Sequence, residues 1–142
     1  MTVFPQSVSC EADGTVLQAW HVETTALIAH SAASTGINGS DQTNRRGRGI
    51  ALVIDISAIT GTSPTLTLTI QGKDPVSGKY YTLLGSAALT AVGTTVLTVY
   101  PGLTAAANVV ANNVLPRSWR VISAIGGTTP AVTATVAACV LQ

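Results

Sequence analysis

Between Ile50 and Ala58 an apolar side chain recurs at every second position: Ile50, Leu52, Ile54, Ile56 and Ala58 fall on one face, with Asp55 and Ser57 on the other. That period marks a half-buried strand. In the next run Leu66, Leu68 and Ile70 alternate with Thr65, Thr67 and Thr69. Gly72 to Lys79 then brings Asp-Pro and Ser-Gly turn chemistry, which predicts a connection, and a third strand follows at Tyr80 to Leu84. Thr94 to Tyr100 is a fourth strand, stopped by Pro101 and Gly102. Leu103 to Val110 fits a single helical turn or an ordered loop equally well, because Ala105-Ala106-Ala107 favours helix while the segment is short and ends at Asn112-Asn113. In Ser118 to Ile125, a fifth strand, Trp119, Val121, Ser123 and Ile125 oppose Arg120, Ile122 and Ala124. Gly126 to Pro130 reads as a turn. The final strand sets Val132, Ala134, Val136, Ala138 and Val140 against Thr133, Thr135, Ala137 and Cys139.

Short strands at close spacing, Gly and Pro turns and no long helical period predict an all-β fold, a β-sandwich or jelly-roll-like domain over residues 49–142. The first 48 residues differ. They hold candidate strands at Thr15 to Val22 and Thr25 to Ala33, then a polar stretch, Ser34 to Arg48, that reads as an exposed loop. Residues 1–48 are therefore expected to form an N-terminal arm reaching a neighbour, or to add strands to the sandwich.

Composition sharpens this picture. Thr, Ala and Val supply 57 of the 142 residues, a choice that suits pleated sheets, and only 9% are Asp, Glu, Lys or Arg, where about 25% is usual. One domain is expected at this length, with enough buried surface for one core. A 46% hydrophobic chain with a net charge of +1 is not a disordered polyelectrolyte, and the near-neutral balance argues against a strongly basic nucleic-acid binder. Tyr80–Pro116 and Val121–Gln142 lack charge entirely, but Gly, Pro and Thr interrupt both, so neither reads as a membrane span. The start, MTVFPQSVSC, has no basic region and is broken by Pro5 and Gln6, so an unprocessed protein made inside the cell is expected. Ser7 to Cys10 has the look of a lipoprotein cleavage site without the apolar run that must precede it.

Candidate chemistry is thin. The acids Glu11, Asp13, Glu23, Asp41, Asp55 and Asp74 form no recognisable pair; Glu11 and Asp13 read as a solvated turn, and Asp55 as an outer-face residue paired with an arginine. His21 and His30 lack the spacing of common zinc sites, and Cys10 and Cys139 read as small buried hydrophobes, so neither a metal nor a cofactor is expected. The glycines make no phosphate loop. Arg45-Arg46-Gly47-Arg48 is the one basic cluster; three charges are few for nucleic acid, so it reads as a solvated loop or a contact with an acidic protein partner. Trp119 reads as a core anchor between surface arginines. Tyr80 and Tyr81, adjacent on a strand, point to opposite faces and cannot form one sugar-binding platform.

A low-charge domain tends to associate. The stretch Ser40-Asp41-Gln42-Thr43-Asn44, then Arg48-Gly49, Leu52 to Ile56, Thr67 to Tyr81 (TLTIQGKDPVSGKYY), Gly93 to Leu97, Val99 to Asn108 and Leu115 to Val121 resembles a family of small structural proteins of tailed bacteriophages, over roughly residues 34–125. Members are similar in size and are typically encoded among virion head and tail genes. The resemblance implies a particle component without enzymatic activity and supplies no catalytic residues. It leads to the expectation of a capsid decoration (cement) protein on the head surface, a homotrimer that binds the major capsid protein and no specific nucleic acid. Phe4, Trp20, Arg45, Arg46 and Arg48 are the expected interface residues. The alternatives are a tail or baseplate component and a host-surface carbohydrate-binding module.

Overall fold

The computed structural model describes residues 23–142. Among them are seven strands and no helix: β1 (Glu23–Ala33), β2 (Gln42–Thr43), β3 (Gly49–Lys73), β4 (Tyr80–Gly85), β5 (Gly93–Val99), β6 (Val110–Ala111) and β7 (Ser118–Leu141). The protein is all-β, as the Thr- and Val-rich alternation requires.

Two strands dominate. β3 and β7, 25 and 24 residues long, pair antiparallel from Gly49↔Leu141 to Gly72↔Trp119. The sheet runs β1-β7-β3-β5-β6, with β2 on β7 and β4 on β3. β5 pairs with the first half of β3 and β1 with the second half of β7, whereas β4 and β2 flank the remaining halves. Both halves of each long strand contribute to one core, in which Ile50, Leu52 and Ile54 join Leu66, Leu68 and Ile70, and Trp119 and Val121 join Val132 and Val136. The β3/β7 ribbon therefore doubles back, and its two halves are the layers of a sandwich. His30 of β1 reaches across the core to Ser123 in the first half of β7, with Nε2 3.0 Å from Oγ. Each fully buried Leu, Ile or Val contributes roughly 1.5–3 kcal/mol of transfer free energy to this interior.

The fold-over occupies Ser57 to Thr65 in β3 and Gly126 to Pro130 in β7, none of them charged. The β3/β7 pairing shifts register at Ile56/Ala58, Thr60/Thr62 and Thr62/Thr65. Its two segments are nearly the same peptide: Ser57-Ala58-Ile59-Thr60-Gly61-Thr62-Ser63-Pro64 and Ser123-Ala124-Ile125-Gly126-Gly127-Thr128-Thr129-Pro130. They also share a conformation. Gly61 and Gly127 have φ of 121° and 112°, and Ser63 and Thr129 have φ of 50° and 46°. A Cβ on Gly61 would meet the Thr129 carbonyl oxygen at 2.7 Å, and one on Gly127 would meet that of Ser63 at 2.7 Å. The pairs Ala58↔Thr133, Ile59↔Val132 and Thr60↔Ala131 exchange with Thr67↔Ala124, Leu66↔Ile125 and Thr65↔Gly126 about the central pair Thr62↔Thr128. The ribbon thus folds over at a local two-fold axis written into the sequence as a repeat.

Several details depart from the sequence-based expectation. Gly126 to Pro130 is a bend within one strand, not a turn between two, because the partner segment of β3 bends with it. Ala58 is exposed, since the shift after Ile56 takes it off the inner face. Ser34 to Arg48, read as an exposed loop, contains β2, a bridge from Asn38 to Ile122 and the buried Asn44. Leu103 to Val110 is an ordered loop that ends in β6. Thr15 to Val22 lies outside the described residues, while Thr25 to Ala33 falls within β1.

Candidate interaction surface

Asn44-Arg45-Arg46-Gly47 is a tight turn, with Asn first and Gly fourth as turn chemistry favours. The Asn44 side chain closes it. Oδ1 accepts the Gly47 N–H at 2.8 Å, and Nδ2 donates to the Gly47 carbonyl at 2.8 Å and to the Leu115 carbonyl at 3.0 Å. Backbone bonds fasten both flanks: Asn44 N–H to Arg117 O at 2.6 Å, Arg48 N–H to Leu141 O at 2.7 Å, and Leu115 N–H to Arg48 O at 2.9 Å. At Gly47 a Cβ would meet Val140 Cγ1 at 2.0 Å, so a side chain there would force the turn away from the end of β7. Asn44 is buried, whereas Arg45, Arg46, Arg48 and Arg117 are exposed. The hydrogen-bonded turn fixes the backbone that carries Arg45, Arg46 and Arg48 and places it beside Arg117, where the two ends of the doubled ribbon meet.

These four arginines have no carboxylate partner among the described residues, where the one ion pair is Lys73 Nζ to Asp41 Oδ2 at 2.7 Å. That pair belongs to a second network on the outer face. Tyr80 donates its hydroxyl to Asp41 Oδ1 at 2.7 Å, the Arg120 guanidinium lies 3.5 Å from the centroid of the Tyr80 ring, and Arg120 Nε donates to Gln71 Oε1 at 2.9 Å. The hydrogen bond from Lys73, followed by that from Tyr80, holds the Asp41 carboxyl below the usual carboxylate range, and Asp41 in turn raises Lys73. Solvated ion pairs contribute little stability, so the network's main effect is to orient the chain entering β2 against β3, β4 and β7. Asp74 caps the next turn, its carboxyl held low first by the Ser77 hydroxyl and then by the Val76 N–H.

All seven Lys and Arg side chains thus gather at the open end of the ribbon, on the Asn44 turn, the β3–β4 connection and the entrance to β7. The fold-over end carries none.

Of the interface residues expected from sequence, Arg45, Arg46 and Arg48 stand together on this surface; Phe4 and Trp20 lie outside the described residues, as do Cys10, Glu11, Asp13 and His21. Two contributors were missed. Asn44 had a readable signal, the Asn-x-x-Gly spacing, while Arg117 joins the patch only through its carbonyl contact with Asn44, which no local motif encodes. Asp55 is exposed on the outer face, where it accepts a hydrogen bond from Thr94 Oγ1 at 3.3 Å in place of the arginine pairing expected. Cys139 is buried and disulfide-bonded, where a small apolar residue alone was expected. Tyr80 lies against Arg120 and Tyr81 over Gly72, on opposite sides of β4. Among the described residues no group of three His, Cys, Asp or Glu side chains converges on a metal position, and no helix is long and apolar enough to cross a membrane.

No family model matches the sequence, and no curated protein matches it. Two solved structures of infectious bursal disease virus, of the Gx and Gt strains, align with 99% of this chain at a TM-score of 0.40 each, with 14% and 13% identity. This chain spans 36% and 37% of the length of those two chains.

Proposed function

We propose that this protein is a non-enzymatic structural component of a virus particle, a decoration protein that docks its arginine end on an acidic surface of the major capsid protein, on the outside of the head. The carrying observation is the hydrogen-bonded Asn44 turn, with Arg45, Arg46 and Arg48 on or beside it and Arg117 bonded to it through its carbonyl, all four exposed and without a carboxylate partner among the described residues. Exposed guanidinium groups make forked hydrogen bonds to carboxylates, and pre-ordering of the backbone that carries them lowers the entropic cost of docking. The resemblance of residues 34–125 to virion proteins of tailed bacteriophages supports the same reading. So does the dispersion of titratable groups among the described residues: His30 sits in the core, Asp55 on the outer face and Asp41 in an ion pair. The stacking of Tyr80 under Arg120 removes one ring from any sugar-binding platform and disfavours the carbohydrate reading.

The test is reconstitution on undecorated heads, followed by particle imaging. Density on the capsid lattice, reduced by Arg45→Glu combined with Arg117→Glu and weakened by salt, is the expected result. Density on the tail would move the assignment to a tail or baseplate role. Full head occupancy by the charge-reversed variant would reject the arginine surface, and equal affinity for unrelated DNA would point to non-specific phosphate binding instead.

A further inference from the structure

β5 leaves part of a sheet edge open. β6 covers only Thr98 and Val99, and Thr98 N–H donates to Val109 O at 2.9 Å while Tyr100 N–H donates to Ala111 O at 3.1 Å. Strand alternation directs the N–H and C=O groups of Val96 and Thr94 to that same side, where they meet no backbone partner among the described residues. The usual protections of an edge are missing. Gly93 to Leu97 contains no charge and no Pro, and its ladder with β3 runs from Gly93↔Ile56 to Val99↔Ile50 without a bulge. Val96 is 45% exposed, with Val92 at 61% and Val109 at 47% along the same margin. Across the sheet from Val96 come Val53 and then Ala137, so the outer row leading to the edge is uncharged as well.

We infer that β5 pairs with β5 of a second copy, antiparallel about a two-fold axis at Thr95, making one continuous sheet of two subunits. In this register Thr94 of one copy opposes Val96 of the other, and each such pair exchanges two N–H···O bonds, so the four open groups of each edge are satisfied. Thr95 faces its own counterpart in a non-hydrogen-bonded pair. The side chains agree with the backbone: Thr94 and Val96 share the outer face, so two Thr–Val contacts form at the seam with no like charges opposed. The occupant is a second copy because the segment is complementary to itself, and the two-fold pairing closes the interface by using the open part of the same edge on both copies. The pairing predicts a dimer where a homotrimer was expected from sequence. It is independent of the proposed capsid contact, since none of the arginines lies on β5.

The full chain is to be measured by light scattering and sedimentation over a concentration series. A dimer is expected, and Val96→Lys and Thr94→Pro should each raise the concentration of half-dissociation by at least about tenfold, the latter by removing a donor from an edge that tolerates proline. Air oxidation of Thr95→Cys should trap a covalent dimer, because facing Cα atoms in such a pair are about 4.5 Å apart, within disulfide range. Val92→Cys, although on the more exposed residue, should not cross-link. A monomer or a trimer at all concentrations overturns the proposal, as does a dimer that survives Val96→Lys in folded form. Cross-linking of Val92→Cys as fast as Thr95→Cys would likewise reject the register, and the disulfide test holds even where Val96→Lys fails to fold.

Discussion

His30 shows how a single side chain couples the two layers to pH. The Ser123 Oγ accepts the Ile37 N–H at 2.9 Å and lies 3.0 Å from His30 Nε2 and 3.3 Å from the Ile37 carbonyl oxygen, so one hydroxyl ties β1, β7 and the segment between β1 and β2 together. The buried Nδ1 of the same ring meets no hydrogen-bond partner among the described residues. Burial holds the imidazole below its usual 6.5, so the unfolded chain takes up a proton at a higher pH than the native one does. The resulting stability is fully present above pH 6.5 and is lost as pH falls through 6.5 toward the lowered native value. The midpoint of urea unfolding should accordingly be lower at pH 5.5 than at pH 7.5, and His30→Gln, which keeps an amide near Ser123, should flatten that difference. A slope unchanged in the variant would assign the effect to another group. Asn44 makes a second residue-scale case. Asn44→Ala removes three hydrogen bonds and leaves the Leu115 carbonyl and the Gly47 N–H without them, which should destabilise the fold by about 2–3 kcal/mol in chemical denaturation. A change under 0.5 kcal/mol would show that water replaces those contacts readily.

At the scale of elements, the period-2 pattern located β3 and β7 because each has one buried face, and alternation is what a buried face leaves in a sequence, whereas β4 and β5 were legible as runs bounded by turn residues. It could not show that Ile50–Ala58 and Leu66–Ile70 belong to one strand. Gly and Pro at Gly61 to Pro64 and Gly126 to Pro130 carry the same local signal in a turn as in a paired bend, and only the partner strand distinguishes the two. The repeat of Ser-Ala-Ile-x-Gly-Thr-Ser/Thr-Pro was visible in the sequence and was the missing clue, since near-identical peptides paired about a two-fold axis can bend together. The arginine patch was legible for the three residues clustered within Arg45 to Arg48 and silent for Arg117, which arrives by tertiary contact. The bend can be tested through its symmetry. Gly61→Ala and Gly127→Ala each force a Cβ onto a carbonyl oxygen at a positive φ, so both should destabilise by about 2 kcal/mol or more, and by similar amounts. Unequal losses, measured by denaturant titration, would show that one strand alone dictates the fold-over.

On the scale of the whole molecule, charge and shape are segregated along one axis, with seven cations at the open end and an uncharged Thr, Ser, Gly and Pro tip at the other. Reversing Arg45 and Arg117 to Glu should leave the unfolding midpoint within about 0.5 kcal/mol of the parent, because these side chains are exposed and without ion pairs among the described residues, while head binding falls. A large loss of stability in that variant would make the patch structural. The doubled ribbon has a further consequence, for the order in which the molecule can be made. His30 and Ser123 are 93 residues apart in sequence, and Gly49 finds its partner only at Leu141, so little of the sandwich can close before nearly all of its residues have been synthesised. Chains dominated by such distant pairings fold in milliseconds to seconds, and throughout that interval the apolar faces of β3 and the open margin of β5 are available to other nascent chains. Slower synthesis at lower temperature should therefore raise the soluble fraction of this protein, a kinetic benefit that substitutions on the finished surface would not reproduce.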